Sequence, residues 1–469
     1  MKKRKVMMAV QEPKVLKADP DEVCKVVLTR YVVNQSLVVI CIDKHDNGRY
    51  LIIEPELPQT AKELYESIMD YIYTRFELIR GVEDLRLAIN TSVKELKIRR
   101  DLWERHKDSV WYYVRRNFGY GVLETLIQDP DIEDIELNDW RKEITVVHRR
   151  FPQFEALITN IKLSSEDEAK ALIEKLALKA GKGISLARPV LHAALPEGYR
   201  LAATLGPPAS TSPSFDIRKF PEKPFDIVTL IKSGMLSEEV AALAWLLNDS
   251  KMFYVISGGS GTGKTTLLNA FLQLTNPNWK IIVVQDIPEL QLPGRVRFIQ
   301  FFGEDSEQQF ERCVAALRYR PDMLVVGEVR GREITALVRA IASGSGSATT
   351  FHSSSPQEYE MAVRNLLPRD LYVMLSINTA VLFQVARVRE GGKVIRKVIS
   401  IYEKFNGEWR PIYSYGSLRL DNILRRVSSR LLIDDPYEEF ENRVRILKSA
   451  SEGYENVERL MRRFYGRGS

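Results

Sequence analysis

The run Gly258-Gly-Ser-Gly-Thr-Gly-Lys-Thr-Thr266 carries the clearest chemistry in the chain. Gly258, Gly263, Lys264 and Thr265 hold the fixed places of G-x-x-x-x-G-K-[ST]. Gly259, Ser260, Gly261 and Thr262 fill the loop, and Thr266 follows it. Glycines let successive backbone N–H groups curl around phosphate oxygens. A helix starting there adds a dipole that favours an anion. Lys264 is placed to reach the β- and γ-phosphates, and the Thr265 hydroxyl to bind Mg²⁺. Four glycines, the Lys-Thr pair and an apolar lead-in from Phe253 to Ser257 make a chance glycine turn a poor account.

A second acidic site narrows the reading. Pro321-Asp-Met-Leu-Val-Val-Gly-Glu328 reads as an apolar strand ending in a carboxylate. The usual form ends in two acids, but Gly327 holds the first place. Glu328 is then expected to orient the attacking water, to hold Mg²⁺ through water, or both. The bland alternative is a solvated or ion-paired strand-end glutamate. Its place downstream of the phosphate loop favours the functional reading.

These residues need a scaffold. From about residue 225, apolar strands alternate with helical stretches. Strands are expected at 253–257, 281–284, 323–326 and 347–351, with helices from Gly263 and over 307–317 and 333–342. Such continuous apolar runs predict a parallel sheet covered on both faces. Two further strands, at 380–389 and 394–402, flank Gly391-Gly392 as a hairpin, and after Tyr415 the chain reads helical and Arg-rich. Upstream, 37–42 and 50–53 read as strands, and 61–80 and 92–116 as helices. The basic, aromatic 92–116 stretch is either a solvated face over a core stripe or a docking surface. Ser165 and Glu168 are spaced as a capping box for a helix that stops at Gly181. Pro221 and Pro224 mark a linker. The expected regions are 1–117 (a variable α/β region), 118–224, 225–412 (the phosphate-binding domain) and 413–469 (helical).

Composition is that of a globular protein, with 45% hydrophobic and 28% charged residues in 469. This excludes a disordered chain or a disulfide-dense scaffold. A net charge of +6 is weak evidence for nucleic acid and also fits work beside an anionic membrane surface. Cys24, Cys41 and Cys313 form no C-x-x-C pair, so zinc is not expected. Their odd number and wide spacing suggest reduced thiols inside a cell. Residues 1–5 look like a signal n-region, but the apolar 6–10 is too short to continue it. No segment reaches the length that spans a bilayer. A cytoplasmic chain follows, meeting a membrane through a partner or a surface patch.

Together these motifs resemble the secretion ATPases of the type II/type IV superfamily, over about residues 118–405. Leu195-Pro-Glu-Gly-Tyr-Arg200 and Phe215-Asp-Ile-Arg-Lys-Phe220 are similar to that family's lead-in to the phosphate loop. Gln285-Asp-Ile-Pro-Glu289 resembles its Asp box, 317–330 its atypical Walker B segment, and 340–352 its His box. Two positions depart. Gln285 stands where a glutamate is usual, and Ser345 where a histidine is usual.

The resemblance implies an α/β chain: a RecA-like P-loop ATPase domain with a mixed α+β N-terminal domain and a helical C-terminal tail. It implies that Asp286 and Glu289 help hold Mg²⁺ and the attacking water, and that His352 senses the γ-phosphate. His352 could instead be a satisfied core histidine. Arg200 and Arg218 match the family's N-terminal phosphate-binding arginines, or are structural ion pairs. A guanidinium suits spread phosphate charge. Arg318 and Arg330 are weaker candidates for contacts from a neighbouring subunit. The implied machine is a homohexamer that hydrolyses ATP with Mg²⁺ and uses no zinc. It works at the cytoplasmic face of the membrane on a polytopic platform protein and, indirectly, on pilin-like cargo. An archaeal pilus- or archaellum-type member is the nearest match. Nucleic acid is not an expected partner. A DNA-transfer motor and a weakly hydrolysing ATP-controlled scaffold stay open as alternatives, the latter because of Gln285 and Ser345.

Overall fold

The computed structural model describes residues 14–76, 79, 81–220, 223–391, 393–414 and 417–466. The expected n-region and apolar run (1–10), Pro221 of the linker, Gly392 of the turn and Tyr415 lie outside the described residues. The chain divides into two compact units, Met1–Phe220 and Pro221–Ser469.

The first unit is built on a ten-stranded sheet. Its strands are β1 (Lys14–Val15), β2 (Cys24–Val33), β3 (Ser36–Asp43), β4 (Gly48–Ile53), β5 (Ile132–Leu137), β6 (Glu143–His148), β7 (Leu157–Lys162), β8 (Val190–Ala194), β9 (Arg200–Leu205) and β10 (Pro213–Arg218). They run in the order β2-β3-β4-β7-β6-β5-β10-β9-β8, with β1 added against β7. Helices α1 (Pro20–Val23), α2 (Gln59–Arg75), α3 (Val82–Glu95), α4 (Arg100–Phe118), α5 (Glu124–Gln128) and α6 (Glu166–Lys179) complete the unit. The capping box at the start of α6 is as expected. Ser165 accepts from the Glu168 N–H at 3.1 Å, and Glu168 reaches back to the Ser164 N–H.

Two expectations need correction here. The single helix over 92–116 is two helices, because Lys97 takes φ +49° and ends α3. The Ile98 and Lys97 N–H groups turn back onto the Val93 and Lys94 carbonyls, each at 3.1 Å, which closes the helix end. In α4 the apolar stripe Val110 and Val114 packs against Leu64, Ile68 and Ile89 of α2 and α3. The second correction concerns the thiols. Cys24 and Cys41, on adjacent strands with Cα atoms 5.7 Å apart, form a disulfide, and Cys313 alone is free and buried. Cys24 pairs with Asp43 and Cys41 with Val27 across a bulge in β2, a register that sequence spacing does not reveal.

The second unit carries a nine-stranded sheet and helices on its faces. Its strands are β11 (Phe253–Ser257), β12 (Ile281–Gln285), β13 (Phe298–Phe302), β14 (Met323–Val326), β15 (Gly346–Phe351), β16 (Thr379–Glu390), β17 (Lys393–Phe405), β18 (Glu408–Ser414) and β19 (Ser417–Leu418). The order is β13-β12-β14-β15-β11-β16-β17-β18-β19. Pairing is parallel from β13 to β16 and antiparallel beyond it. Helices are α7 (Ile227–Lys232), α8 (Glu238–Asp249), α9 (Lys264–Gln273), α10 (Ser306–Leu317), α11 (Glu333–Ala342), α12 (Pro356–Leu366), α13 (Arg369–Asn378), α14 (Asp421–Leu431), α15 (Pro436–Lys448) and α16 (Tyr454–Gly466). Every residue of β11, β14 and β15 is buried, as a strand covered on both faces requires.

The C-terminal helices fold back onto the sheet's helical layer. Arg443 of α15 pairs with Asp249 at 2.7 Å and lies over the Trp245 ring, and Trp245 Nε1 donates to the Tyr465 hydroxyl at 2.8 Å. Among the described residues, no helix is long and apolar enough to cross a membrane.

Candidate active site

The site gathers at the carboxyl ends of the parallel strands, where an open α/β sheet places its ligands. β11 feeds the phosphate loop and α9 leaves it. Gly263 caps α9 at φ +93°, a conformation that glycine adopts without strain. Lys264, the first residue of α9, is buried to 7% exposure, and its Nζ donates to the Gly259 carbonyl at 2.9 Å. The Thr262 hydroxyl bonds to that same carbonyl at 2.9 Å. The loop is thus curled by its own side chains. Thr265 and Thr266 are half-buried in the first turn of α9.

Three neighbouring strands bring the remaining groups. Glu328 follows β14, His352 follows β15, and Asp286 and Glu289 follow β12. His352 Nε2 lies 2.7 Å from Glu328 Oε1 and 3.3 Å from Lys264 Nζ. An ionised carboxylate only accepts, so the imidazole carries its proton on Nε2 and donates it to Glu328. Arg330 binds the other oxygen of Glu328 and reaches Asp286 at 3.5 Å. The chain His352–Glu328–Arg330–Asp286 is therefore continuous, and Lys264 Nζ lies beside its first member. His352 is 49% exposed, so it is not a satisfied core histidine. Burial and the nearby Lys264 lower its pKa, though Glu328 pulls the other way. Burial likewise lowers the pKa of Lys264, against the charges of Glu328 and Glu289.

Residues not singled out from the sequence hold these groups in place. The Thr350 hydroxyl donates to the Gly327 carbonyl at 2.7 Å and pins the strand end that carries Glu328. Gly327 sits so close to β12 that a Cβ there would lie 3.1 Å from the Gln285 Cβ. Glu333, fully buried, accepts from the Gly331 N–H at 2.7 Å and also from the Arg330 N–H and the Ser306 hydroxyl. It thereby fixes the turn after Glu328. The signal was available in the sequence, as an acid at the head of a helix just after a strand-end glycine.

The two departures from the expected boxes land in structural positions. The Gln285 side chain is 3% exposed and bonds to the Leu290 backbone. Ser345 lies before β15, at the end of the strand opposite His352, and donates to the Pro321 carbonyl at 3.0 Å. Arg330, an expected contact to a neighbouring subunit, is engaged within its own chain. Arg318 is exposed at the end of α10.

Arg200 and Arg218 belong to the first unit. They are direct register partners on β9 and β10. Arg218 Nε pairs with Asp134 Oδ1 at 2.8 Å, with the arginine 52% exposed, so the ion-pair alternative is realised for this residue. Arg200 is half-buried.

A polar group in the first unit, buried Asp129 and His148 with half-buried Asp131, has the spacing of metal ligands. Asp129 and His148 in it are already hydrogen-bonded. His148 Nδ1 accepts from the Arg150 N–H at 3.2 Å, so its proton is on Nε2, which meets the Tyr31 hydroxyl at 3.0 Å. Tyr31 and Tyr50 both donate to Asp129 Oδ2, at 2.6 and 2.7 Å. The cluster is a satisfied hydrogen-bond network rather than a metal centre.

Thr265 in the phosphate loop, and Glu328 and Asp286 at the ends of neighbouring strands, offer only oxygen atoms to a cation. Such a set suits a hard divalent cation such as Mg²⁺, which binds few protein groups and keeps its waters.

Comparison with known proteins gives the family. Residues 142–387 match the family model of the type II/IV secretion system protein. An uncharacterised protein of Methanocaldococcus jannaschii is 31% identical over 403 residues, covering 78% of this chain and 71% of the relative. A second protein of that organism is 29% identical over 325 residues, and the chain spans only 44% of its length. A Mycobacterium tuberculosis protein named for conjugal transfer is 31% identical over 305 residues, 60% of this chain and 84% of that one. Among solved structures, the ATPase DotB of Legionella pneumophila aligns over 76% of this chain and 96% of its own, at 17% identity and a TM-score of 0.46. With a family match across more than half its length, and a relative 31% identical over most of both chains, the chain belongs to the type II/IV secretion system protein family.

Proposed function

We propose that this chain is a Mg²⁺-dependent ATPase that works as a homohexamer at the cytoplasmic face of a membrane. It drives a pilus-like or secretion assembly through a polytopic platform protein, and moves pilin-like cargo indirectly. One observation carries the reading: His352, Glu328, Arg330 and Asp286 form a continuous chain of contacts beside Lys264 of the phosphate loop.

Each residue has a derivable task. The loop N–H groups and Lys264 bind the phosphates. Glu328 orients the attacking water and takes its proton, and His352 donates a hydrogen bond to that carboxylate and holds it in place. Arg330 balances the charge of Glu328 and Asp286. Thr265, Glu328 and Asp286 would hold Mg²⁺, directly or through water, with Glu289 beside them. When bound, the cation neutralises charge that develops on the phosphates. Arg200 and Arg218 are proposed to meet phosphate oxygens in the assembled state, where Arg218 would exchange its Asp134 partner for the ligand.

The test is ATP turnover of the purified protein with and without anionic lipid, together with its light-scattering mass in a non-hydrolysable analogue. Nucleotide-dependent hexamers with lipid-stimulated turnover support the motor. A monomer that binds ATP without turning it over refutes it and favours the scaffold.

A second reading has a specific basis, since a relative at 31% identity is named for conjugal transfer. A DNA-transfer motor would use the same site. Filter binding across a salt series separates the two, because backbone-dominated DNA binding weakens steeply with salt. A net charge of +6 favours the first reading.

A further inference from the structure

The phosphate loop has two walls. On one side stand β15, β14 and β12 with His352, Glu328 and Asp286. On the other stands the β16–β17 hairpin, to which no role has yet been given. It packs directly on the loop. A methyl group at Gly258 would run into the Val385 carbonyl, and one at Gly261 into the Arg387 guanidinium. A Cβ at Gly263 would lie 3.4 Å from the Arg396 Cδ.

Arg387 and Arg396 are direct register partners across the hairpin. Both are exposed, and the Nε of each donates to the same acceptor, the Gly261 carbonyl, at 3.1 and 3.2 Å. Neither is ion-paired to a carboxylate among the described residues. Glu390 on the same hairpin is taken by Lys397 at 2.8 Å. Like charges facing each other across a strand pair are destabilising. Here one loop carbonyl anchors both, leaving the guanidinium planes and their outer N–H groups beside the loop.

We propose that Arg387 and Arg396 form a seat for the nucleoside end of the bound nucleotide. The argument is one of sides. The acids and His352 fix the γ-phosphate to the β15 wall, so the purine and ribose extend toward the other wall. A guanidinium plane stacks on a π-face and donates to ring nitrogens and hydroxyls. The inference rests on the ATPase reading above and deepens it.

The test is calorimetric binding of Mg-ATP, Mg-ADP and Mg-tripolyphosphate, which lacks a nucleoside, to the full chain. Wild type is compared with the Arg387→Gln/Arg396→Gln double variant and with Lys264→Ala. The double variant is expected to lose about tenfold in affinity for both ATP and ADP, with tripolyphosphate within about twofold of wild type. Lys264→Ala is expected to weaken all three. Unchanged ATP and ADP affinity in the double variant overturns the seat, and so does an equal loss on tripolyphosphate. A wild type that binds no ATP overturns the ATPase reading itself, a distinguishable failure. If the double variant does not fold, the single variants carry the test, each with an expected loss of about threefold.

Discussion

The Gln285 carboxamide holds Leu290 at both backbone groups: its oxygen accepts from the Leu290 N–H at 2.9 Å and its nitrogen donates to the Leu290 carbonyl at 3.2 Å. Gln300 donates to that carbonyl too, at 2.7 Å. A carboxylate at 285 could accept but not donate, and it would face the carbonyl from a position of 3% exposure. Gln285→Glu is therefore expected to cost about 1–3 kcal/mol of stability. Denaturant melts measure this. A many-fold gain in turnover without loss of stability would show instead that Gln285 throttles the enzyme.

Lys264→Ala removes the one side-chain cation buried within the loop's first helical turn. ATP affinity should fall by roughly tenfold to a hundredfold, the range for a hydrogen bond to a charged group. Undiminished binding by calorimetry would take Lys264 out of phosphate recognition.

Glu328→Gln keeps the size of the side chain and loses the base. Turnover should drop by about 10²–10⁴-fold while ATP still binds. Near-normal hydrolysis in single-turnover assays would assign the water to another residue.

His352 gives a pH signature. Burial and Lys264 depress its pKa, so it is neutral at pH 7 and charges only below its ordinary range. Turnover governed by this group stays level from pH 7.5 toward 6.5 and falls on the acid side. In His352→Gln that acid limb should vanish from the pH–rate profile. Its persistence would point to a different titrating group.

Arg218→Ala breaks an ion pair whose arginine is 52% exposed, so thermal stability should move by less than about 1 kcal/mol. Activity should fall only in the assembled protein. An equal loss in a monomer would make Arg218 a structural residue.

What the sequence made legible was local. The phosphate loop, its strand and its helix are contiguous, and so are β14 with Glu328 and β15 with His352. Apolar runs of that kind announce a covered parallel strand without help from the rest of the chain. Unread features depend on pairing between distant segments. The facing of Arg387 and Arg396 follows from hairpin register, and the Cys24–Cys41 bridge from the pairing of β2 with β3. The amide of Gln285 has meaning only once the chain reverses over 286–290. Ser345 looked like a missing catalytic group, until the length of β15 placed it at the wrong end of the strand. β13 and β18 were not foreseen, and both lie outside the run of fully covered strands, where the apolar signal is diluted.

The bridge between β2 and β3 bears on self-association. β2 is a terminal strand of its sheet, and Val26, Val27 and Val32 on it are exposed. An open edge with apolar side chains is a template for pairing with another molecule. By the chain-entropy model, a link across a sequence separation of 17 is worth about 3 kcal/mol. Reduction would let this edge fray more often and raise the tendency to clump. Clumping in the presence of a reductant would thus originate in the first unit.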